Sequence, residues 1–336
     1  MLLPPSCRRK LILLDCIILI VIVLVIVLPI IFVAIPKKAQ SEINASTLEV
    51  TSQEVTNPQP DGVNLKLTSV IRSDSSYHPT VDSFEAELSL EGQDEPFTTI
   101  TIPQAKSEAE THITVDQPIK FASKDAFALY TKTVLGAETF KVHLDGKTQV
   151  HLKGLPGMDV NYNKVVTMKG THILSHPLPS VPLTTSLGLN RLSGLNITSL
   201  RILQGVGAVL ADGSNLIGNV SIPNPSVMTL DLGNVTMNLA VDGTSLGYAL
   251  IPNLVLKPGE NVVPMQAHAD QLVVIGLITS KYKNAILPLT VTGNSSVKDG
   301  VHLSYYEEAI KSNVVKVDLN VGPALKAINL TLPGLG

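Results

Sequence analysis

An uncharged apolar stretch near the N-terminus constrains this chain more than any other feature. Residues 16–35 read CIILIVIVLVIVLPIIFVAI, which is about the length that a helix needs to cross a hydrocarbon core of roughly 30 Å. A cleavable signal peptide is the alternative, but its apolar region spans only about 7–15 residues and ends in small residues. Here Pro36, Lys37 and Lys38 follow. The stretch therefore predicts an uncleaved transmembrane signal anchor over 11–36, preceded by a short tail over 1–10.

Two features predict the orientation of this anchor. Arg8, Arg9 and Lys10 precede the span and two lysines follow it, and positive charge favours the cytosolic side. Glycosylation acceptors are useful only on the lumenal or extracellular side. Six acceptors follow the span, although Ser- and Thr-rich β proteins also produce such triplets by chance: Asn44, Asn196, Asn219, Asn234, Asn294 and Asn329. We therefore expect a single-pass type II glycoprotein with a cytosolic N-terminus and a lumenal ectodomain.

Composition narrows the class of ectodomain. With 44% hydrophobic and 16% charged residues, the chain is too apolar for a disordered protein. Five of the 25 basic and one of the 28 acidic residues precede residue 39, so the remainder is acidic, at about −7. It has no basic run, which argues against nucleic acid as a partner. Both cysteines, Cys7 and Cys16, lie in the N-terminal segment, and only 4% of residues are aromatic. We expect a disulfide-free core of Val, Leu and Ile.

Period-two alternation of apolar and polar residues dominates after the anchor. Residues 84–90 read FEAELSL, a pattern typical of a strand with one buried face. Residues 140–144 alternate likewise, meet Asp145-Gly146 and return through 150–152, which predicts a hairpin. Residues 235–241 meet Asp242-Gly243 in the same way. Many short strands separated by turn signals predict a mainly β protein built from sandwiches.

The same pattern predicts where the domains begin and end. Residues 37–61 are polar and predict a stalk that merges into the first strand, and 171–190 contain three closely spaced prolines, typical of a linker. We expect a first β-sandwich over 62–170 and a second over 191–336, each with a short helix: one after the N-cap Ser123, the other over 269–277. The order of elements predicts an internal repeat that pairs 62–165 with 214–322.

The second half carries a motif that resembles a known family. The motif comprises residues 222–226 (IPNPS), Gly243, Gly247, residues 251–253 (IPN) and residues 257–261 (KPGEN). In these residues the chain resembles fungal membrane-anchored proteins with the domain of unknown function DUF3712, allied to Tag1-like vacuolar membrane proteins. The arrangement is also similar to the LEA-2, or water-stress-and-hypersensitive-response, domain. The resemblance is best over 185–330 and weaker over 46–170. It implies immunoglobulin-like sandwiches of the LEA-2 kind and a vacuolar address, and it brings no catalytic residues.

A search for reactive constellations finds none of the required kind. The chain has no Gly-X-Ser-X-Gly elbow, no Walker motif and no dinucleotide fingerprint. His172 and His176 lie beside prolines that argue against a shared helix face. His143 and His151 are potential cross-strand neighbours around Asp145-Gly146, but a third metal ligand is lacking. The acidic pairs at 85/87 and 307/308 indicate an exposed strand face and a short surface helix. We predict no catalytic, metal or cofactor-binding residues.

These patterns favour a non-catalytic function over an enzyme. We expect a lumenal binding or scaffold protein that is attached to the bilayer by its N-terminal helix and binds protein partners. The vacuolar membrane is the expected location, with the plasma membrane and endoplasmic reticulum as alternatives. A second hypothesis is lipid binding or transfer, because valine-rich sandwiches beside a bilayer could open an apolar groove that accepts an acyl chain. A continuous apolar cavity across several strands would favour this hypothesis, and a filled core would weaken it.

Overall fold

The computed structural model describes residues 24–25, 27–167, 189, 192, 194–204 and 208–330. The predicted cytosolic tail, most of the predicted anchor and nearly all of the predicted 171–190 linker lie outside these residues. Within the described part of the chain, no helix combines the length and apolar character that a membrane span requires. The chain is mainly β, as predicted.

The elements fall into two halves, residues 30–167 and 194–330. A π-helical turn over Ile30–Ala34 leads into α1, and the helices are α1 (Ile35–Ala45), α2 (Lys124–Gly136), α3 (Gln271–Ser280), α4 (Ser304–Lys311) and α5 (Gly322–Ala327). The strands of the first half are β1 (Thr47–Gln59), β2 (Gly62–Arg72), β3 (Thr80–Val81), β4 (Phe84–Leu90), β5 (Thr98–Ile102), β6 (Ala105–Lys106), β7 (Glu110–Lys120), β8 (Lys141–His151) and β9 (Met158–Thr167). Those of the second half are β10 (Asn196–Ile202), β11 (Leu216–Asn224), β12 (Met228–Val241), β13 (Thr244–Leu256), β14 (Gly259–Ala269), β15 (Ile286–Lys298), β16 (Val301–His302) and β17 (Val314–Asn320).

One eleven-stranded sheet runs through both halves. Its order is β10-β11-β14-β13-β12-β1-β2-β7, and β15, which pairs with β12, also carries β16 and β17. The link between the halves is a parallel pairing in which Gln53–Val55 of β1 lie beside Met228–Leu230 of β12. The second sheet has six strands, ordered β5-β4-β8-β3-β6 with β9 on β8, and belongs to the first half. The two predicted sandwiches are therefore joined by a shared sheet, and their assignment to the LEA-2 or immunoglobulin-like kind stays a prediction.

The predicted stalk over 37–61 is replaced by regular structure. Helix α1 extends to Ala45, and β1 occupies Thr47–Gln59, where it pairs with β2 along nearly its whole length. The prediction failed because β1 has many polar residues. Its buried positions, Val50, Gln53, Val55 and Pro58, include a glutamine and a proline, so the apolar alternation is weaker than in the other strands.

The predicted hairpin at Asp145-Gly146 is also wrong. Strand β8 runs straight through these residues and pairs with β4 on one side and β9 on the other. A Cβ atom on Gly146 would lie 2.7 Å from the Phe84 ring, so this glycine permits close packing rather than a turn. By contrast, Asp242 and Gly243 have φ of 51° and 79° and close the predicted β12–β13 hairpin, as a type I′ turn requires.

Both predicted helices are confirmed, with side-chain caps at their N-termini. The Ser123 hydroxyl accepts a hydrogen bond from the Ala126 N–H at 3.2 Å, and the Asp270 carboxylate accepts from the N–H groups of Leu272 and Val273. Each side chain satisfies a helix N–H that has no partner within the helix. Each helix is followed by a strand, β8 or β15, as the predicted repeat requires.

Aromatic rings fill the contact between the two halves. Helix α4 was predicted to lie on the surface, but it packs against α2 and buries Tyr305, Tyr306, Ala309 and Ile310. We call the ring cluster between these helices the aromatic junction; it comprises Phe97, Phe121, Phe127, Tyr130, Phe140, Tyr305 and Tyr306. The Phe121 and Phe127 rings stack at 3.7 Å, and Tyr305 meets Phe127 edge-on at 5.2 Å. Such offset and edge-to-face contacts add to the energy of area burial.

Candidate functional site

An apolar cleft opens at the end of the first half that lies farther from the aromatic junction. Its volume is about 310 Å³, and it lies between helix α1, the β2–β7 edge of the long sheet and the second sheet. Two thirds of its lining residues are aliphatic, aromatic or proline: Ala34, Ile35, Ala39, Ile43, Ile71, Pro79, Val81, Phe84, Ile102, Pro103, Ala105, Ile113, Val150, Leu152, Leu155 and Tyr162. We call this space the α1 cleft.

The strands that border the α1 cleft are too short to close it. Strands β3 and β6 have only two residues each, and they form the outer end of the second sheet. Ile71 and Ile102, at the ends of β2 and β5, remain half-buried, whereas Ile113 in the middle of the wall is buried. The sheets thus part where their ladders end, and α1 covers the space that this leaves.

Helix α1 is attached to β9 by a specific pair of hydrogen bonds. The Gln40 side chain donates from Nε2 to the Asn161 carbonyl at 2.7 Å and accepts from the Asn161 N–H at 2.8 Å. This satisfies both backbone groups of one β9 residue with a single amide. The contact fixes the position of α1 along β9. Because α1 forms one wall of the cleft, the same contact holds that wall in place.

A buried lysine caps the C-terminus of α1. Lys164 on β9 donates from Nζ to the carbonyl groups of Ile43, Asn44 and Ser46. The Ile43 carbonyl also accepts from the Ser46 N–H at 3.2 Å, and a cation at a helix C-terminus interacts favourably with the helix dipole. Burial lowers the pKa of Lys164 below its usual value. Because the Lys164 ammonium group donates to these three carbonyls, it is not available to a ligand in the cleft.

A second cavity continues the α1 cleft into the core of the first half. It measures about 70 Å³ and shares four lining residues with the outer cleft, Ile71, Ile102, Ile113 and Tyr162. Its inner end reaches Phe97, Phe127 and Tyr130 of the aromatic junction. An apolar path thus leads from α1 between the two sheets and ends at packed rings.

The polar side chains that line the α1 cleft form what we call its rim. Lys38 and Glu42, one turn apart on α1, form an ion pair. Its hydrogen bond raises the pKa of Lys38 and lowers the pKa of Glu42, so both are charged at neutral pH. The remaining polar side chains of the lining are hydroxyls: Ser46, Ser73, Ser75, Tyr77, Ser107 and Thr111. This division into an apolar floor and a hydroxyl-rich rim suits an amphipathic ligand.

The predicted glycosylation acceptors are placed unequally. The side chains of five are exposed: Asn44, Asn196, Asn219, Asn294 and Asn329. Asn234 is half-buried, and its Oδ1 accepts a hydrogen bond from the Asn253 N–H at 2.9 Å. The sequence pattern predicted Asn234 on the wet strand face, but it could not predict this neighbour on β13. Asn234 is therefore the least accessible of the six acceptors.

The motif behind the family resemblance has structural roles. Asn224 is buried; its Nδ2 donates to the Met228 carbonyl at 2.8 Å, and its Oδ1 accepts from the Ser226 N–H at 2.9 Å. Asn261 donates from Nδ2 to the carbonyl groups of Ile222 and Lys257. Both asparagines satisfy buried carbonyls where strands turn, as the turn chemistry of the motif predicts.

The predicted histidine and carboxylate groups do not converge. His143 and His151 lie eight residues apart on β8 rather than on opposite strands, because the hairpin between them does not exist. His151 instead pairs with Asp82 at 2.8 Å. His172 and His176 lie outside the described residues. Among those described, no group of three potential metal ligands is close enough to hold an ion.

The two acidic pairs also serve different local roles. Glu85 and Glu87 lie on the exposed face of β4, as predicted. Glu307 is largely buried and accepts hydrogen bonds from His302, Lys311 and the Ser296 N–H. Burial alone would raise the pKa of Glu307, but these hydrogen bonds hold it below its usual value. This carboxylate stabilises α4 at the contact between the halves.

Sequence reasoning missed the α1 cleft and its rim. Lys38 and Glu42 lie four residues apart, which is the spacing of an ion pair on a helix, but the segment was interpreted as a stalk. The aliphatic lining is drawn from nine separate segments. A single sequence does not indicate that these segments meet.

The middle of the chain, in parts of both halves, matches a known family. The profile of a family described as "Protein of unknown function (DUF3712)" matches residues 95–239, slightly less than half of the chain. The match begins before β5 and ends within β12, so it includes the aromatic residues of α2 but not α1. The resemblance predicted over 185–330 overlaps it only up to residue 239.

Comparison with other proteins gives no functional assignment. No curated protein sequence matches the chain. An Arabidopsis thaliana protein solved in solution is 14% identical with a TM-score of 0.22, and the alignment covers 36% of this chain and 80% of that one. The periplasmic chaperone SfaE is 12% identical, with a TM-score of 0.18 and coverage of 82% and 100%. Red sea bream transglutaminase is 11% identical, with a TM-score of 0.23 and coverage of 81% and 31%.

Proposed function

We propose that this protein is a membrane-anchored lipid-binding protein that accommodates the apolar part of a lipid in the α1 cleft. The observation that carries the proposal is the continuous apolar path between the two sheets of the first half, from Ala34 to Phe127. A volume of about 310 Å³ lies at the lower end of the roughly 300–1,000 Å³ typical of small-molecule sites. Such a space favours a ligand with one apolar body over a lipid with two acyl chains.

The position of the cleft supports a lipid rather than another apolar ligand. Exposed apolar side chains precede it along residues 24–33, among them Val25, Phe32 and Val33. The next residue, Ala34, is the first to line the cleft. Since 11–36 is the predicted membrane anchor, a lipid would leave the bilayer directly at the mouth of the cleft. The non-catalytic scaffold function expected from the sequence has no comparable observation in its favour.

Two alanines of α1 provide a matched test of the proposal. Ala39 lines the cleft, whereas Ala45, at the end of the same helix, is exposed and does not line it. We expect Ala39→Phe to fill the space that a ligand needs and Ala45→Phe to leave it open. The full chain, purified in an amphipathic polymer, is incubated with vesicles that contain tritiated 1-monooleoylglycerol or tritiated oleate. Lipid retained by the protein is then counted after separation from the vesicles.

The expected result is saturable retention of about one lipid per chain, lost in Ala39→Phe and kept in Ala45→Phe. Retention by neither the natural chain nor Ala45→Phe would contradict the proposal. Equal retention by both variants would place the lipid elsewhere and would contradict it as well. Unfolding of Ala39→Phe is checked by circular dichroism, and the smaller Ala39→Leu is the replacement if that variant does not fold.

The orientation of the anchor has an independent test. We propose that residues after the anchor are lumenal, supported by the five exposed acceptors. Endoglycosidase treatment of the expressed chain should increase its electrophoretic mobility. Replacing Asn219 with Gln should reduce the mobility shift by the contribution of one glycan. Replacing the half-buried Asn234 should change the mobility shift little. An unchanged mobility after treatment would contradict a lumenal ectodomain.

A further inference from the structure

We infer that the α1 cleft selects lipids with an uncharged, hydroxyl-bearing head group over lipids with an anionic head group. The inference rests on the lipid-binding function proposed above and concerns the chemistry of its ligand. The class includes sterols, monoacylglycerols and long-chain alcohols. Three properties of the rim carry it: the pairing of its charges, the number of its hydroxyls and the charge of its surroundings.

Among the described residues, the two charged side chains that line the α1 cleft are paired with each other. Lys38 donates to Glu42, and both belong to one face of α1. An anionic head group that approached Lys38 would lie beside the Glu42 carboxylate or would have to displace it. Displacement exchanges one exposed ion pair for another and leaves the Glu42 carboxylate without its cation, so an anion gains little from Lys38. The pair therefore disfavours an anion at the rim.

Hydroxyl groups surround this ion pair. The Ser75 side chain hydrogen-bonds with Glu42, which lowers the pKa of that carboxyl further. The Ser73 hydroxyl accepts from the Ser75 N–H at 3.3 Å, and the Ser75 hydroxyl accepts from the Tyr77 N–H at 3.2 Å. Each hydroxyl has further capacity to donate or accept. The Tyr77 side chain is 54% exposed, so it lies at the mouth. A neutral hydroxyl on a ligand can both donate to and accept from such a rim.

Apart from Lys38, none of the described cations lines the α1 cleft. Lys106 and His78 both approach Glu108, at 2.8 Å and 3.4 Å. Behind α1, the Lys164 Nζ is occupied by helix carbonyls. Lys37 and Lys153 neighbour the lining residues Lys38 and Leu152 in the sequence, but neither lines the cleft. This arrangement differs from that of a phosphate or carboxylate site, where cations exceed acids.

Two lipids with the same acyl chain test the inference. The full chain is titrated with tritiated 1-monooleoylglycerol and with tritiated oleate at neutral pH, in the same amphipathic polymer. We expect monooleoylglycerol to bind about tenfold more tightly than oleate, the effect of one unfavourable charge contact at the rim. The acyl chains are identical, so the ratio reports on the head group alone.

A substitution at Glu42 should change this ratio in a defined direction. Glu42→Gln keeps the length and hydrogen-bonding capacity of the side chain and frees Lys38 from its ion pair. We expect it to increase oleate affinity about tenfold while monooleoylglycerol affinity changes by less than about twofold. Lys38→Met serves as the opposite control, because it leaves the Glu42 charge unmatched and should weaken oleate binding further.

The outcomes separate this inference from the function on which it depends. If neither lipid binds, the proposed function fails and the inference fails with it. If both bind and oleate is equal or tighter, the α1 cleft is a lipid site but the inference is wrong. An unchanged ratio in Glu42→Gln, measured on a variant with the circular dichroism of the natural chain, would also overturn the role of the ion pair.

Discussion

The aromatic junction and the α1 cleft lie at opposite ends of the same pair of sheets, and they are packed in contrasting ways. At the junction, Tyr305 of the second half meets Phe121 and Phe127 of the first half at centroid distances of 5.0 Å and 5.2 Å. In the cleft, aliphatic side chains and alanines face a space of about 310 Å³. One end is thus closed by large, rigid side chains, and the other is lined by side chains too small to reach across it.

This difference shows that the cleft is a local feature rather than general loose packing. Protein interiors are normally as dense as organic crystals, and six of the seven junction rings are buried. The chain has only six Phe and seven Tyr, and seven of these thirteen rings lie in the junction. The composition of the cleft lining, and not a lack of apolar residues, keeps the space open.

The largest expected difference in stability between the two ends comes from removing one aromatic ring at each end. Phe127 is surrounded by four other rings of the junction, so Phe127→Ala should lower the free energy of unfolding by about 3–5 kcal/mol. Phe84 borders the α1 cleft, and its ring meets one aromatic partner, Tyr162, at 5.3 Å. Phe84→Ala should cost less, because part of its surface already lacks packing partners. Urea denaturation of the two variants measures both values, and equal costs would contradict the contrast.

Enlarging an alanine at each end probes the same contrast from the opposite direction. Ala309 is fully buried in the junction, so Ala309→Leu should overpack it at a cost of about 1–3 kcal/mol. Ala105 lines the cleft and is half-buried, so Ala105→Leu should have an effect below about 0.5 kcal/mol. Thermal unfolding of both variants measures this. A large cost for Ala105→Leu would mean that the α1 cleft is closed in solution.

Alkaline pH should lower the stability of the two ends to a similar extent. This is the smallest of the expected effects. Burial raises the pKa of both Tyr130 and Tyr162 to about 12. Because the unfolded chain loses these protons near pH 10, stability is complete below pH 10 and falls as pH rises towards 12. Tyr162→Phe should reduce this loss by about 1 kcal/mol at pH 11.

Tyr130→Phe is the matched control for that measurement. It should remove the same alkaline loss, but it also leaves the buried Gln53 amide without the hydroxyl that accepts its hydrogen bond at 2.9 Å. It should therefore cost about 1 kcal/mol or slightly more at neutral pH as well. A ligand confined to the outer cleft should shield Tyr162, which lines that cleft, more than Tyr130, which lines only the inner cavity.

Local features of this fold were predictable from sequence. The β4 alternation, the type I′ turn at Asp242-Gly243 and the Ser123 cap depend on neighbouring residues only, and all three were predicted correctly. Gly146 was misinterpreted because the same Asp-Gly dipeptide serves a turn or a close contact, and only the Phe84 ring decides between them. Local sequence does not record that partner.

Features that depend on distant residues were not predictable. The β1–β12 pairing joins Gln53 to Met228, 175 positions away, and the polar character of β1 concealed the strand. The α1 cleft is a property of nine separate segments and of the strand ends that leave them apart. The hypothesis of an apolar groove arose from the predicted anchor and valine-rich strands, but the residues of its wall and rim became visible only in three dimensions.

The parallel pairing of β1 with β12 has a mechanical consequence. A pull on the N-terminal segment acts through α1 on the start of β1, whereas a load on the far end of β12, about 13 residues beyond Met228, acts in the opposite direction along the same axis. The backbone hydrogen bonds of β1 with β12 and β2 lie across this axis. A tensile load would therefore act on these hydrogen bonds in shear. They would break together and not one after another. The first strand is thus placed to transmit force between the N-terminal helix and the second half of the protein.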